Sequence, residues 1–198
     1  MRQWNHEKTR RLVTLALLTA LVVVLQAIGS LFTIGSTPIS LTLVPIVIGA
    51  IILGPGAGAF LGVAFGIVVL AAGLSGRDAF TNMLLNVRPF WTFMVCLCKG
   101  ALCGAVPGWI FRALKEHLNL GCILAALSAP VVNTGVFALF MLTALKPGLE
   151  NFAGSVGGGN LISVLFLVLI GVNFLIEMVV NAALSAGIAR IVKATVNL

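Results

Sequence analysis

Lys99, Asn133, Asn173 and Glu177 lie within stretches otherwise apolar enough to cross a bilayer, and Arg88 stands at the outer mouth of one of them. A charged or amide side chain in hydrocarbon is costly and normally marks a substrate or ion path, so these residues are where function is expected. Asn173, Glu177 and Asn181 recur every four residues and share one helix face, which must look toward protein or water. Counted inward at about 1.5 Å per residue, Lys99, Asn133 and Asn173 fall about 16 to 18 Å deep, so one shared polar layer is expected. Glu177 follows one turn deeper. A Lys99–Glu177 ion pair that merely fixes helix register is the structural alternative. Asn133, close to the kink expected at Pro130, has the alternative of a plain interhelical hydrogen bond.

Arg88 precedes Pro89, which places it at a helix start near the outer surface. Its planar guanidinium suits an external carboxylate or phosphate, although a snorkelling interfacial arginine would occupy the same place. Trp91 fits either a binding wall or an aromatic belt. Catalytic chemistry has little support. His6 and His117 are expected at the opposite, cytoplasmic ends, so no histidine-based triad assembles around the polar layer, and the carboxylates form no metal-binding pair. The Gly54, Gly56 and Gly58 spacing lacks the Lys-Ser or Lys-Thr and the preceding strand of a phosphate loop.

The elements that must position these groups are membrane helices. The 198-residue chain is 60% hydrophobic and 9% charged, with mean hydropathy +1.17, which excludes an ordinary soluble domain. Hydrophobic runs at 9–29, 41–53, 56–73, 88–114, 118–145 and 161–192 predict an all-α polytopic protein of six transmembrane helices in a single domain, 1–198. The second run is short and is expected to tilt or to lie partly buried. Gly54-Pro55-Gly56 makes runs two and three a helical hairpin.

The net charge of +7 reflects basic residues gathered at span ends, a topology signal, so no nucleic-acid partner is expected. Arg2, Lys8, Arg10 and Arg11 precede the first run, Arg112 and Lys115 follow the fourth, and Arg190 and Lys193 end the sixth. An even number of spans puts all three clusters on one side, so both termini are expected in the cytoplasm. Loops 30–40 and 146–160 then lie outside, where they are lid candidates or simple connections. Ala16 with Ala20, and Gly54, Gly58, Gly62 and Gly66, have the four-residue spacing of close helix packing. Cys96, Cys98, Cys103 and Cys122 show no metal or redox spacing and read as packing residues.

The sequence resembles the substrate-binding (S) components of energy-coupling factor (ECF) vitamin importers. The resemblance is carried by the basic start with Ala16-x-x-x-Ala20 and by Thr37-Pro38-Ile39-Ser40-Leu41 leading to Leu53-Gly54-Pro55-x-Ala57-Gly58. Ala129-Pro130-Val131-Val132-Asn133-Thr134 and the closing Ile176-Glu177 with Asn181 complete it. It implies a multi-pass plasma-membrane subunit that captures a vitamin from outside. Its implied partners are a transmembrane coupling protein, docked at Ala16 and Ala20, and two ATPase subunits. It also implies no cofactor in this chain, ATP being used by the partners.

Within that resemblance the expected substrate-binding residues are Arg88, Lys99, Asn133, Asn173, Glu177 and Trp91. They suit a small polar acid, with pantothenate first and riboflavin and folate behind it. Few aromatic residues lie at the candidate positions and Tyr is absent, which disfavours a large stacked flavin or pterin. A membrane-embedded enzyme using Glu177, or an assembly protein in which Lys99 and Glu177 only pair, are the readings from other classes.

Overall fold

The computed structural model describes residues 2–30, 33–34, 37–38 and 41–196, with side-chain surroundings for 6–30, 41–187 and 189–190. Most of the expected outer loop 30–40 lies outside the described residues, as do the side chains of Arg2 and Lys193. Among the described residues the regular structure is helical apart from a two-stranded antiparallel pairing of β1 (Thr33–Ile34) with β2 (Thr37–Pro38). In order, the helices are α1 (Arg2–Gly29), α2 (Leu43–Ile52), α3 (Pro55–Leu74), α4 (Ala79–Val87), α5 (Pro89–Ala113), α6 (Leu118–Leu142) and α7 (Lys146–Ser155). The last stretch is α8 (Leu161–Ser163), a π-helical segment Val164–Ile170, and α9 (Gly171–Val196).

Among the described residues, five helical stretches are long and apolar enough to cross a membrane: His6–Gly29, Pro55–Leu74, Pro89–Ala113, Leu118–Leu142 and Leu161–Gly187. The sixth, α2, has only 10 residues. At 1.5 Å per residue it reaches about 15 Å, half of a hydrocarbon core. Such a short helix is tolerated where neighbours shield its ends, and α2 packs against α1, α3, α5, α6 and α9 with Leu43, Ile46 and Val47 fully buried.

Two helices depart from the expected loops. The 146–160 connection is helical over its first part, α7, and α4 fills the stretch between the third and fourth spans. Both are short and one-sided. α4 turns Phe80 and Leu84 inward, α7 turns Leu149 and Phe152 inward, and Phe80 packs edge-on against Phe152 at 5.3 Å.

The tightest packing joins α3 to α5. A Cβ at Gly58, Gly62 or Gly66 would run into the carbonyl oxygen of Gly104, Gly100 or Cys96 respectively, and a Cβ at Gly100 or Gly104 would meet the carbonyls of Gly62 and Gly58. The stripe seen on α3 therefore has a matching stripe on α5, and the two backbones touch. At the end of the bundle holding the α2–α3 turn, Arg11 donates to the carbonyl of Leu53 at 3.1 Å, and Arg112 lies against Gly54. The first two basic clusters thus share one face, the one the positive-inside rule assigns to the cytoplasm.

Overpacking this seam should cost about 1–3 kcal/mol, even though alanine is the better helix former by about 1 kcal/mol. Gly62→Ala is therefore expected to lower the melting temperature in detergent. Gly56→Ala, where nothing lies within 4 Å, should leave it unchanged or raise it. Equal melting of the two variants would contradict the seam.

Candidate functional site

Lys99 is held by α5 next to the glycine seam, Asn133 and Thr134 by α6, and Asn173 and Glu177 by α9; all five line one cavity of about 90 Å³. Gln26 of α1 and Asp78 with Thr81 at the start of α4 complete its polar lining. The remaining wall is apolar, with Phe65, Phe80, Phe137 and Phe174 its largest members. The π-helical segment ends at Ile170, so the irregular, wider turns directly precede the part of α9 that lines the cavity.

The polar groups are connected unevenly. Asn173 Nδ2 donates to Glu177 Oε1 at 3.2 Å, and Asn181 Nδ2 donates to the Glu177 backbone carbonyl at 2.8 Å. Glu177 Oε2 and the side-chain oxygens of Asn133, Asn173 and Asn181 are buried without a hydrogen-bond partner. Lys99 makes no ion pair among the described residues, and the Lys146–Glu150 pair is exposed on α7, apart from it. Instead its ammonium rests over two aromatic faces, 5.6 Å from the centre of Phe65 and 5.5 Å from that of Phe137. The register-fixing Lys99–Glu177 contact weighed from the sequence is thus absent as a direct pair.

Asp78 is occupied differently. It is the N-cap of α4, with Oδ1 accepting from the Thr81 backbone N–H at 3.0 Å and Oδ2 from the Thr81 hydroxyl at 2.6 Å. This satisfies an amide that the first helical turn would otherwise leave unbonded. Gln26, 4% exposed, accepts from the Thr42 hydroxyl at 2.8 Å, which ties α1 to the start of α2.

Arg88 and Trp91 stand outside the cavity. Arg88 is exposed at the junction of α4 and α5, its extended conformation imposed by Pro89. It is 11 positions before Lys99, about 16 Å along the helix. Trp91 is 38% exposed and packs edge-on with Phe90 and Phe140. Gln26, Asp78, Thr81 and the phenylalanines are cavity residues that the sequence reading passed over. A glutamine alone in an apolar run and an Asp-x-x-Thr cap ahead of a one-sided helix were the available signals. The phenylalanines also remove the argument that the candidate site lacks aromatic walls.

A family model for the substrate-specific component of ECF transporters matches residues 10–189. The chain belongs to that family. As an S component it is a multi-pass cell-membrane protein of a transport system. It is similar to the pantothenic acid transporter PanT of Lactococcus lactis subsp. cremoris (strain MG1363), 25% identical over 172 residues that cover 79% of this chain and 86% of that protein. No solved structure matches the chain.

Asp78→Ala in this S component should remove the cap of α4 at a cost of about 0.5–2 kcal/mol. Hydrogen exchange is expected to accelerate in 79–87 while the long helices keep their protection. Unchanged exchange there would show that tertiary packing alone holds α4.

Proposed function

We propose that this S component captures pantothenate from outside the cell in the cavity between Lys99 and Glu177 and delivers it through a coupling module. The observation that carries the reading is the cavity itself: polar side chains from five helices converge inside an apolar bundle, and several of their oxygens have no partner within the protein. Buried groups of that kind are expensive unless a ligand answers them. The similarity to a pantothenic acid transporter supports the choice of vitamin.

Size orders the candidates by the widening each would require. Ligand sites typically enclose roughly 300–1,000 Å³, whereas this cavity holds about 90 Å³. Any vitamin needs the site to widen, and a small acid needs the least. Riboflavin and folate form the second reading, favoured by the four phenylalanines on the wall. The widening is assigned to α4 and α7, because Phe80 of α4 lines the cavity and packs against Phe152 of α7. Recognition is assigned to Lys99, Asn133, Asn173 and Glu177. Arg88 and Trp91 are assigned to the outer approach, where an exposed guanidinium attracts an anion before it enters.

Delivery needs partners. Tight capture opposes release, so an outside energy source has to change the state of the site. We assign that role to a transmembrane coupling protein and its two ATPases. Ala16 and Ala20 are exposed on α1, a helix that also leaves Leu12, Leu17 and Val24 uncovered, and this face is the proposed docking surface.

Mass spectrometry of protein purified from rich medium should find pantothenate bound at close to one per chain. A different vitamin would redirect the assignment, and a lipid-derived product would favour an embedded enzyme. Ala16→Trp should abolish uptake in cells while leaving ligand affinity within about twofold; surviving uptake would remove α1 from the docking surface.

A further inference from the structure

The cavity's hydrogen-bonding capacity is lopsided. Glu177 is 1% exposed and Asn133 7%, yet Glu177 Oε2, Asn133 Oδ1 and Asn173 Oδ1 accept nothing. All three open atoms are acceptors as the side chains are oriented, so none of them satisfies another. Rotating the Asn173 amide would not help, because its oxygen would then oppose Glu177 Oε1, which now receives its N–H. Asp78 adds no demand, since Thr81 occupies both of its oxygens. The cation of the site, Lys99, lies over Phe65 and Phe137 with its charge uncommitted to any carboxylate.

We infer that the cavity binds its ligand in one polarity, with an anionic end at Lys99 and hydroxyl or amide donors against Asn133, Asn173 and Glu177. This rests on the vitamin reading above and assigns the roles within it. Pantothenate carries one carboxylate at one end, and two hydroxyls and one amide N–H along the rest of its length. Its donors therefore answer the three open oxygens, and its geminal methyl groups suit the phenylalanine wall. The reverse pose would set carboxylate against carboxylate at Glu177 and leave Lys99 facing hydroxyls. In this arrangement Lys99 selects for the acid, and the Asn133, Asn173 and Glu177 wall selects for the donors.

Calorimetric titration of the purified full chain with three compounds tests the assignment: pantothenate, its alcohol analogue pantothenol, and a pantothenate analogue lacking both hydroxyls. The unmodified protein should bind each analogue at least about 10-fold more weakly than pantothenate, because each leaves a buried group unanswered. Lys99→Met should bind pantothenate and pantothenol alike while still rejecting the hydroxyl-free acid. Asn133→Leu should lessen the rejection of the hydroxyl-free acid and keep the preference for the carboxylate. Tight pantothenate binding with indifference to either analogue in the unmodified protein overturns the polarity, independently of how the variants fold. Exchanged roles for Lys99 and Asn133 overturn it as well. Failure of pantothenate itself to bind overturns the vitamin reading and, with it, this assignment.

Discussion

Backbone contact between α3 and α5 is the constraint on which the site depends. Gly58, Gly62 and Gly66 face the backbone at Gly104, Gly100 and Cys96, with no room for a Cβ at any of the five glycines. In a bilayer there is little hydrophobic gain from burying one apolar helix against another, so close packing of this kind is a main source of association. The seam also sets the chemistry. Phe65 lies between two of the seam glycines and Lys99 adjoins Gly100, so the close approach that fixes the helices also brings the ammonium over the ring at 5.6 Å. A larger residue in the seam would separate the cation from its aromatic support.

The second constraint is electrostatic. An ammonium and a carboxylate share one small cavity without forming a direct pair, and the amides around them leave oxygens open. Such an interior is less stable by itself than one in which the groups had found each other; each open acceptor costs about 1–3 kcal/mol. A bundle packed this closely elsewhere, with one polar region left unsatisfied, would gain stability from any ligand that answered the open groups.

Much of the frame was legible in the sequence, because long apolar runs bounded by Gly, Pro and charge specify membrane helices with little ambiguity. The four-residue spacing of Asn173, Glu177 and Asn181 and a simple count of depth were enough to bring Lys99, Asn133 and Asn173 to one level. Depth is only one coordinate, however. Arg88 and Trp91 were grouped with the site because a guanidinium and an indole at the outer mouth of a span suit an incoming anion, whereas their exposed positions at the start of α5 leave them outside the cavity. α4 and α7 were missed because nine or ten residues of mixed polarity give a weak periodic signal, and their helical state depends on packing against each other and the bundle. The phenylalanine wall was invisible for a related reason. Phe65, Phe80, Phe137 and Phe174 come from four different elements, and an apolar residue in an apolar run carries no mark of what it faces.

The attachments of α1 have a mechanical consequence. Arg11 grips the end of α2 through the Leu53 carbonyl, and Gln26 grips its beginning through Thr42. Two fastenings 15 residues apart on α1 make it and the half-length α2 a stiff couple, and Gln26 is at the same time part of the cavity wall. Torque applied to the exposed side of α1 would accordingly be transmitted through this couple to the wall of the cavity, a direct lever between the outer face of the bundle and its polar interior.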